Sequence, residues 1–437
     1  MTTELPARVR RGYGLGSVAT GTFGTVPGLL LLPYLTDTIG IGAALAGVLV
    51  FAPKAWDVIL NPIAGRISDR SQNPGGRRRP FLIRAGLLLA VLFAVMFAGP
   101  TEPQGLAAAW VAIAFLGCAS AYAFFQVPYV AMPAELTLDY AERTSLMTWR
   151  VVVLALAILL SGATAPIVAN NFGHTAMGVY VGGIIAVGVI GAWWGTRGAP
   201  EHPTQTALDS FGDQLKLVGA NADFRALLFT FVIQAAAIGT VLAGVAYVAD
   251  DLLNSTAAAT LLFVAFVGPA LVVTPLWERY AKTRGKRSGY SIATAFLIFG
   301  MVGLFAAHSG LLAMTYVAAA LVGIGYAGAQ VFPMAMMPDV AAEDAKQSGE
   351  NRIGVFTGVW TAGETLGLAL GPGIFALALT LGGYLSSTGN QTVTQPDSAL
   401  LAIGLGFSVL PAVLAVLSLL LLRGYRLDDR LRNASES

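Results

Sequence analysis

Long apolar runs alternate with short polar segments along the whole of this chain. A helix that crosses a bilayer needs about 20 consecutive apolar residues, and twelve runs come close to that length. The pattern therefore predicts an all-α membrane protein with twelve transmembrane helices. The predicted spans are residues 13–34, 41–62, 81–99, 106–131, 145–169, 175–194, 224–249, 256–277, 289–308, 311–333, 354–380 and 400–422.

The composition agrees with lipid surroundings. Hydrophobic residues make up 56% of the chain and charged residues only 11%, whereas about 25% of the residues of a soluble domain are charged. The only cysteine, Cys118, lies within a predicted span, so no intramolecular disulfide can form.

The basic residues are concentrated at the two ends of the chain and after the second and eighth predicted spans. The loops after the odd-numbered spans contain no Lys or Arg. Because Lys and Arg accumulate in cytoplasmic loops, both termini are predicted to be cytoplasmic, and the basic clusters need no nucleic-acid partner. The clusters are Arg8, Arg10 and Arg11; Arg66, Arg70, Arg77, Arg78 and Arg79; Arg279, Lys282, Arg284, Lys286 and Arg287; and Arg423, Arg426, Arg430 and Arg432.

Two segments six predicted helices apart repeat the same pattern. The segment 122-YAFFQVPYVAMPAEL-136 aligns with 326-YAGAQVFPMAMMPDV-340, and both contain Tyr-Ala-x-x-Gln-Val and end with a proline and an acid. This internal repeat predicts two pseudo-symmetric six-helix bundles, residues 1–194 and 223–437, joined by a cytoplasmic linker at 195–222. The arrangement resembles the major facilitator superfamily, whose solute site lies near the membrane midplane between the halves.

A cation, an anion and an amide lie on one side of the second predicted span. Lys54 and Asp57 are three residues apart, and Asn61 follows one turn later. A charge inside a membrane is costly and indicates a functional site or a partner. We predict cation coupling at these residues, with Lys54 and Asp57 paired; the alternative is a static pair that only holds the helix in place.

Further polar and aromatic residues fall at similar depth in other spans. They are predicted to line one solute cavity, although a glutamine can simply bond a neighbouring helix and a buried aromatic residue can simply pack. These candidate substrate-binding residues are Gln126, Tyr129, Trp149, Arg150, Gln234, Tyr326, Gln330, Trp360, Glu364 and Thr365.

Four motifs resemble those of one family. The segments 56-WDVILNPIAGRISDRSQNPGGRRRP-80, 133-PAELTLDYAERTSL-146, 337-MPDVAAEDAKQSGENRIGVFTG-358 and 364-ETLGLALGPG-373 are similar to motifs of the glycoside–pentoside–hexuronide:cation symporters, the melibiose permease group. The resemblance implies the major facilitator fold and secondary active transport. The motif segments also contain candidate gating residues at the cytoplasmic ends of the helices, namely Asp69, Arg70, Glu135, Asp139, Arg143, Asp339 and Arg352.

The chain departs from the family pattern at the cation site. Sodium-coupled members resemble Trp-Asp-x-x-Asn-Asp-Pro there, whereas this chain has Leu60 and Asn61 at the amide and second acid positions. Hard cations need several oxygen ligands, so a proton at Asp57 is favoured over sodium. The two sugar-binding acids of melibiose permeases correspond to Gly21 and Gln126, which argues against galactoside specificity. Family basic residues correspond to Lys54 and Arg150, and a third falls near Thr365.

The predicted function is secondary active transport of a small organic solute by alternating access, proton-coupled if coupled. A lipid-like or amphipathic solute, export instead of uptake, or a non-transporting receptor on the same fold are the alternatives. An enzyme is not expected, because His174, His202 and His308 form no metal-ligand pair and the chain has no nucleotide-binding glycine loop. We therefore expect no cofactor and no metal, and a monomer in the bacterial cytoplasmic (inner) membrane.

Overall fold

The structure of the chain, a computed structural model, describes residues 5–71, 73, 76–137, 140–199, 216, 219–255, 257–348, 353–389, 393–428 and 430. Regular structure within these residues is helical, with no β-strand among them, so the all-α class is confirmed. The helices are α1 (Ala7–Pro33), α2 (Ala43–Asp69), α3 (Arg79–Met96), α4 (Gln104–Leu136), α5 (Tyr140–Thr196), α6 (Ala222–Tyr247), α7 (Ala258–Arg284), α8 (Lys286–Gly303), α9 (Leu312–Ser348), α10 (Ile353–Gly382), α11 (Asp397–Phe407) and α12 (Val409–Leu422).

Eleven helical spans in the described part of the chain are long and apolar enough to cross a membrane. The sequence predicted twelve, and the difference lies in α5, whose apolar span Trp149–Thr196 has 48 residues, more than twice the roughly 20 that one crossing needs. Gly173 interrupts its helical backbone with φ 84° and ψ 166°, a conformation that a residue without a Cβ adopts without strain. The helical backbone ends and begins again at Gly173, so the predicted spans 145–169 and 175–194 are two separate helices, the two arms of α5.

The chain divides into two compact units. Unit 1 consists of Met1–Ile41, Val48–Thr206 and Ser386–Thr392, and unit 2 consists of Gly42–Gly47, Ala207–Leu385 and Val393–Ser437. The predicted linker 195–222 lies largely outside the described residues. The three-part division at 194 and 223 and the cytoplasmic termini remain predictions.

In unit 1, α1 packs along both arms of α5. The two backbones approach closely because small residues face each other. A Cβ on Gly12 would lie 2.4 Å from the Cα of Gly195, and a Cβ on Gly21 would lie 3.0 Å from the carbonyl oxygen of Leu154. This close packing positions the polar and aromatic side chains of α1 inside unit 1.

Unit 2 is built in the same way from different pairs of helices. Helix α9 packs against α7 and α8, and α6 packs against α10 and α12. A Cβ on Gly239 would lie 3.2 Å from the Cα of Gly371, which brings α6 and α10 into backbone contact. Helices α6, α9 and α10 carry most of the polar residues predicted for this half of the chain.

Gly12→Ala should destabilise the protein, whereas Gly183→Ala should not. Alanine normally stabilises a helix interior relative to glycine by roughly 0.5–1 kcal/mol, and a Cβ on Gly183 would meet nothing within 4 Å. At Gly12 the added methyl group meets the α5 backbone, and overpacking of this kind costs about 1–3 kcal/mol. Thermal unfolding of both variants in the same detergent measures the difference, and equal midpoints would show that α1 and α5 are not in contact at Gly12.

Candidate functional site

The buried face of α2 carries one carboxylate. Asp57 is only 3% exposed, and it lies on the same helical face as the buried residues Val50, Pro53 and Ala64. Its Oδ1 is buried and has no hydrogen-bond partner among the described residues. A buried carboxylate oxygen without a partner is costly, so this atom is suited to bind a proton or a cation.

Lys54 lies on the adjoining side of α2 and points toward α1. Its Nζ is 5.7 Å from the centroid of the Phe23 ring, within the range of a cation–π interaction. Within the described residues, no ion pair shorter than 4.0 Å joins Lys54 to Asp57, although the two charges interact electrostatically. Asn61, one turn after Asp57, is partly exposed. The charges are thus neighbours on one helix, and the Asp57 carboxylate is open to another positive partner.

Tyr129 of α4 is held by its own unit. It is fully buried, its ring stacks on Tyr13 at 4.7 Å between centroids, and its hydroxyl donates to the Tyr13 carbonyl oxygen at 2.8 Å. The same hydroxyl lies 2.9 Å from Ser17 Oγ and can accept from it. With both hydrogen-bonding roles occupied, Tyr129 links α4 to α1.

The other candidates of unit 1 are more open. Arg150 of α5 is partly exposed, and its guanidinium lies 5.9 Å from the Tyr129 ring centroid. Gln126 of α4 is partly exposed, and no described residue hydrogen-bonds its amide. Trp149 is 43% exposed. Gln126 and Arg150 are therefore the polar groups, besides those of α2, that can contact a solute in unit 1.

Unit 2 contains a small, partly open cavity of about 40 Å³ between α6, α9 and α10. Four predicted site residues line it, namely Gln234, Tyr326, Gln330 and Glu364. The volume admits a water molecule but is far below the roughly 300 Å³ of a small ligand pocket. The structure thus brings these four residues together around a space that must widen to hold a solute.

Gln234 is fully engaged by its neighbours. Tyr290 donates its hydroxyl hydrogen to Gln234 Oε1 at 2.8 Å. Gln234 Nε2 donates to Thr294 Oγ1 at 2.9 Å and to Ser418 Oγ at 3.1 Å. The amide therefore ties α6 to α8 and α12. Tyr326, Gln330 and Glu364 are the other polar residues of the cavity wall.

Trp360 and Thr365 of α10 are not among the residues that line the cavity. Trp360 is 1% exposed and stacks on Phe231 at 4.4 Å between centroids. The Thr365 hydroxyl donates to the Thr361 carbonyl oxygen of its own helix at 3.0 Å. Both contacts are made within unit 2 and stabilise its packing. A role of either residue in solute binding remains a prediction.

An acid at the C-terminal part of α4 forms a buried charge cluster. The carboxylate of Glu135 is 3% exposed, and its Oε1 lies 2.8 Å from Nε of Arg78 and 3.5 Å from Nη1 of Arg77. Arg78 also donates to Ser68 Oγ of α2 at 3.4 Å. The cluster joins α4 and α2 to the residues that precede α3.

The aligned acid of the repeat does the same in unit 2. Asp339 of α9 pairs with Lys286, the first residue of α8, and Lys286 Nζ also donates to the Ala335 carbonyl oxygen at 2.9 Å. The sequence identified Arg78 and Lys286 only as members of basic clusters that indicate topology, and it did not predict these pairs. The aligned acids Glu135 and Asp339 were the signal that could have found them, because each needs a cation beside it.

The remaining predicted gating residues are placed only in part. Arg70 is exposed just after α2. Asp69 and Arg143 lie on α2 and α5, but their side chains are outside the described set, and Asp139 and Arg352 are outside the described residues altogether. Their role in gating remains a prediction.

Comparison with known proteins decides the family. The family described as "MFS/sugar transport protein" matches residues 12–429, which is nearly the whole chain. The chain belongs to this family. It is a multi-pass membrane symporter of the major facilitator superfamily and not an enzyme, and its resemblance to the glycoside–pentoside–hexuronide:cation symporters is confirmed.

Several relatives of this MFS/sugar transport protein share its full length. The putative glycoside/cation symporter YagG of Escherichia coli is 25% identical, with 98% of this chain and 93% of YagG covered. The sodium-dependent lysophosphatidylcholine symporter 1 of Gallus gallus is 25% identical, with 97% and 87% covered. The uncharacterized symporter sll1374 of Synechocystis sp. is also 25% identical, with 94% and 92% covered.

Solved structures support the fold. The POT family transporter PepTSo has a TM-score of 0.69 at 10% sequence identity, with 97% of this chain and 99% of that chain covered. The nucleoside transporter NupG has a TM-score of 0.65 at 12% identity, with 95% and 99% covered. These likenesses establish the major facilitator fold.

Glu135→Gln should destabilise this transporter by about 3–5 kcal/mol, because it leaves a buried arginine without its anion. Glu343→Gln is the matched control, since Glu343 pairs with the 72% exposed Lys346 at 3.8 Å, and exposed pairs contribute about 1 kcal/mol or less. Thermal unfolding of the two variants under identical conditions compares them. A loss no larger at Glu135 than at Glu343 would contradict the role given to the buried cluster.

Proposed function

We propose that this chain is a proton-coupled symporter of a small organic solute and that Asp57 carries the proton. The observation that supports this most directly is the buried Oδ1 of Asp57, which lacks a hydrogen-bond partner among the described residues. Protonation removes the negative charge from a buried carboxylate that is only partly stabilised by hydrogen bonds. A carboxylate that gains and loses a proton in this way can link solute movement to a pH gradient.

The surroundings of Asp57 favour a proton over a metal cation. Sodium-sized hard cations prefer several oxygen ligands. The family position of the second acid is the amide Asn61 here, and the amide position is Leu60, so the α2 motif offers one carboxylate. Lys54 on the same helix also adds a positive charge that competes with a bound cation.

Relatives give support for coupling but differ in solute. The names of the Escherichia coli and Gallus gallus relatives describe a glycoside/cation symporter and a sodium-dependent lysophosphatidylcholine symporter. Both names describe cation-coupled transport. We infer cation coupling for this chain as well, and we assign its solute from the polar groups that line the cavity of unit 2.

The polar groups of unit 2 suit a solute with hydrogen-bond donors. Tyr326, Gln330 and Glu364 line the cavity beside the apolar wall of Phe231 and Leu368. A carboxylate, an amide and a phenol bind hydroxyl or amino groups, and the apolar wall covers a hydrocarbon face. A small hydroxylated or amphipathic solute fits this wall. In unit 1, Gln126 and Arg150 are partly exposed polar groups of the same hydrogen-bonding kind.

Topology and location belong to the same proposal. From the basic segments and the positive-inside rule we infer that both termini are cytoplasmic. We place the protein in a bacterial cytoplasmic membrane, acting as a monomer by alternating access around the candidate site, with uptake as the direction that a proton gradient drives.

Asp57→Asn should abolish solute accumulation driven by an inside-alkaline pH gradient, because an amide cannot take up and release the proton. Solute exchange without a gradient should persist. The measurement is uptake of a solute panel, containing glycosides and lysolipids, into proteoliposomes with the pH gradient and the sodium gradient varied separately. Asp397→Asn, an exposed acid at the start of α11, is the control and should accumulate solute normally.

The outcome separates the alternatives. Gradient-driven uptake that survives Asp57→Asn contradicts the assignment of the proton to Asp57. Accumulation that follows the sodium gradient contradicts proton coupling. Solute binding without any flux in the native protein indicates a receptor.

Glu364→Gln should raise the KM of uptake while leaving the response to the pH gradient unchanged. Hydrogen bonds to a charged group contribute about 1.5–3 kcal/mol, which corresponds to roughly a 10- to 100-fold change in affinity. Thr361→Val, one turn earlier on α10, removes a hydroxyl that bonds its own helix at 3.0 Å and should leave KM unchanged. An equal effect in both variants would place Glu364 outside the solute site.

A further inference from the structure

A second, larger cavity lies in unit 1, outside the candidate site. It is a groove of about 440 Å³ between α3 and α4. Most of its lining is apolar, with Phe81, Leu88 and Leu92 on α3 and Gly117, Ala121 and Phe124 on α4. Its volume is in the range of pockets that hold small organic ligands, about 300–1,000 Å³.

The length of the groove matches one leaflet of a bilayer. From Phe81 to Leu92 the lining advances along α3 by eleven residues, and at 1.5 Å per residue this is about 16 Å. The hydrocarbon core of a bilayer is about 30 Å thick, so the groove extends over about half of it. A lipid acyl chain in one leaflet has about this length and lies in similarly apolar surroundings.

The cation and the amide of the lining lie at one end of the groove. Asn73 and Arg84 are near the N-terminus of α3, and the lining near Leu92 and Gly117 carries no charge. Ser120 of α4 also lines the groove, but its hydroxyl donates to the Leu116 carbonyl oxygen of its own helix at 2.8 Å. A cation and an amide at the membrane boundary, followed by an apolar channel toward the midplane, form the same polarity gradient as a phospholipid.

Arg84 is available for such a ligand. It is exposed and makes no hydrogen bond or ion pair with any residue that the structure describes. Its neighbours differ in this respect, because Arg78 pairs with Glu135 and Arg79 donates to the Ala199 carbonyl oxygen. The two buried arginines thus stabilise the protein, whereas Arg84 presents its charge at the groove.

We propose that this groove binds one anionic phospholipid of the surrounding bilayer. An acyl chain lies along α3 and α4, and the phosphate contacts Arg84, with Asn73 beside it. The site is separate from the residues assigned to solute and proton, so it holds whether or not those assignments are correct.

The test is lipid binding to the full-length protein in detergent, measured by native mass spectrometry. The probes are phosphatidylglycerol and phosphatidylcholine with identical acyl chains. Basic residues near an anionic lipid surface contribute about 1 kcal/mol each, so Arg84→Gln should weaken phosphatidylglycerol binding about fivefold and leave phosphatidylcholine unchanged. Arg84→Lys should restore most of the binding, and Arg279→Gln, an exposed arginine of α7 in unit 2, should have no effect.

A second variant tests the groove itself. Ala85→Phe places a ring in the space that the lining residue Ala85 leaves open and should reduce phosphatidylglycerol binding even though Arg84 is present. If Ala85→Phe does not yield folded protein, the exposed Arg84→Gln variant decides alone. Equal binding of the two lipids to the native protein, unchanged binding in Arg84→Gln, or a protein dimer that Ala85→Phe dissociates would overturn the proposal.

Discussion

A charged side chain inside a membrane protein needs a partner, and this constraint places most of the charges that matter here. Glu135 meets Arg77 and Arg78 where α4 approaches the residues before α3, and Asp339 meets Lys286 where α9 approaches α8. Each pair joins elements whose contacts would otherwise be apolar and unspecific. In the Glu135 cluster, removal of one partner leaves the other charge buried, so this contact also defines how the helices of unit 1 fit together. Asp57 is the exception, because its buried Oδ1 has no hydrogen-bond partner among the described residues. Its proposed function rests on this difference.

The buried face of α2 shows how one helix can serve both packing and chemistry. Trp56, Ile59 and Ile63 are exposed on one side, as expected for a helix against lipid, while Asp57 lies on the opposite, buried side. The two-sided distribution of residues on α2 is therefore enough to bury a carboxylate within an otherwise apolar helix. Its apolar side provides the membrane contact, and the buried carboxylate keeps an oxygen that only a proton or an added ligand can satisfy among the described groups.

The internal repeat uses the same residues in different surroundings. Tyr122 and Gln126 of α4 align with Tyr326 and Gln330 of α9. In unit 1 the nearby charged residues of the candidate set are Asp57, Lys54 and Arg150, whereas in unit 2 Glu364 lines the cavity with the aligned pair. The same repeated pattern thus lies beside a buried carboxylate, our proposed proton site, in one unit and beside a polar cavity wall in the other.

The sequence by itself determined the helical class, the membrane setting, the family and the residues of α2, because apolar length, charge distribution and spacing along one helix are local properties. It also predicted that the polar residues Gln126, Gln330 and Glu364 lie deep within membrane-spanning helices. Only the tertiary structure decided what the candidate residues contact. Gln234 hydrogen-bonds with Tyr290, Thr294 and Ser418, and Tyr129 hydrogen-bonds with Ser17 and Tyr13. The tertiary structure also placed the break between two predicted spans at Gly173. The groove beside Arg84 was equally hidden, since it arises where α3 and α4 leave space between them. Contacts between helices depend on side chains that are far apart along the chain. The spacing of apolar and polar residues within one helix therefore cannot predict them.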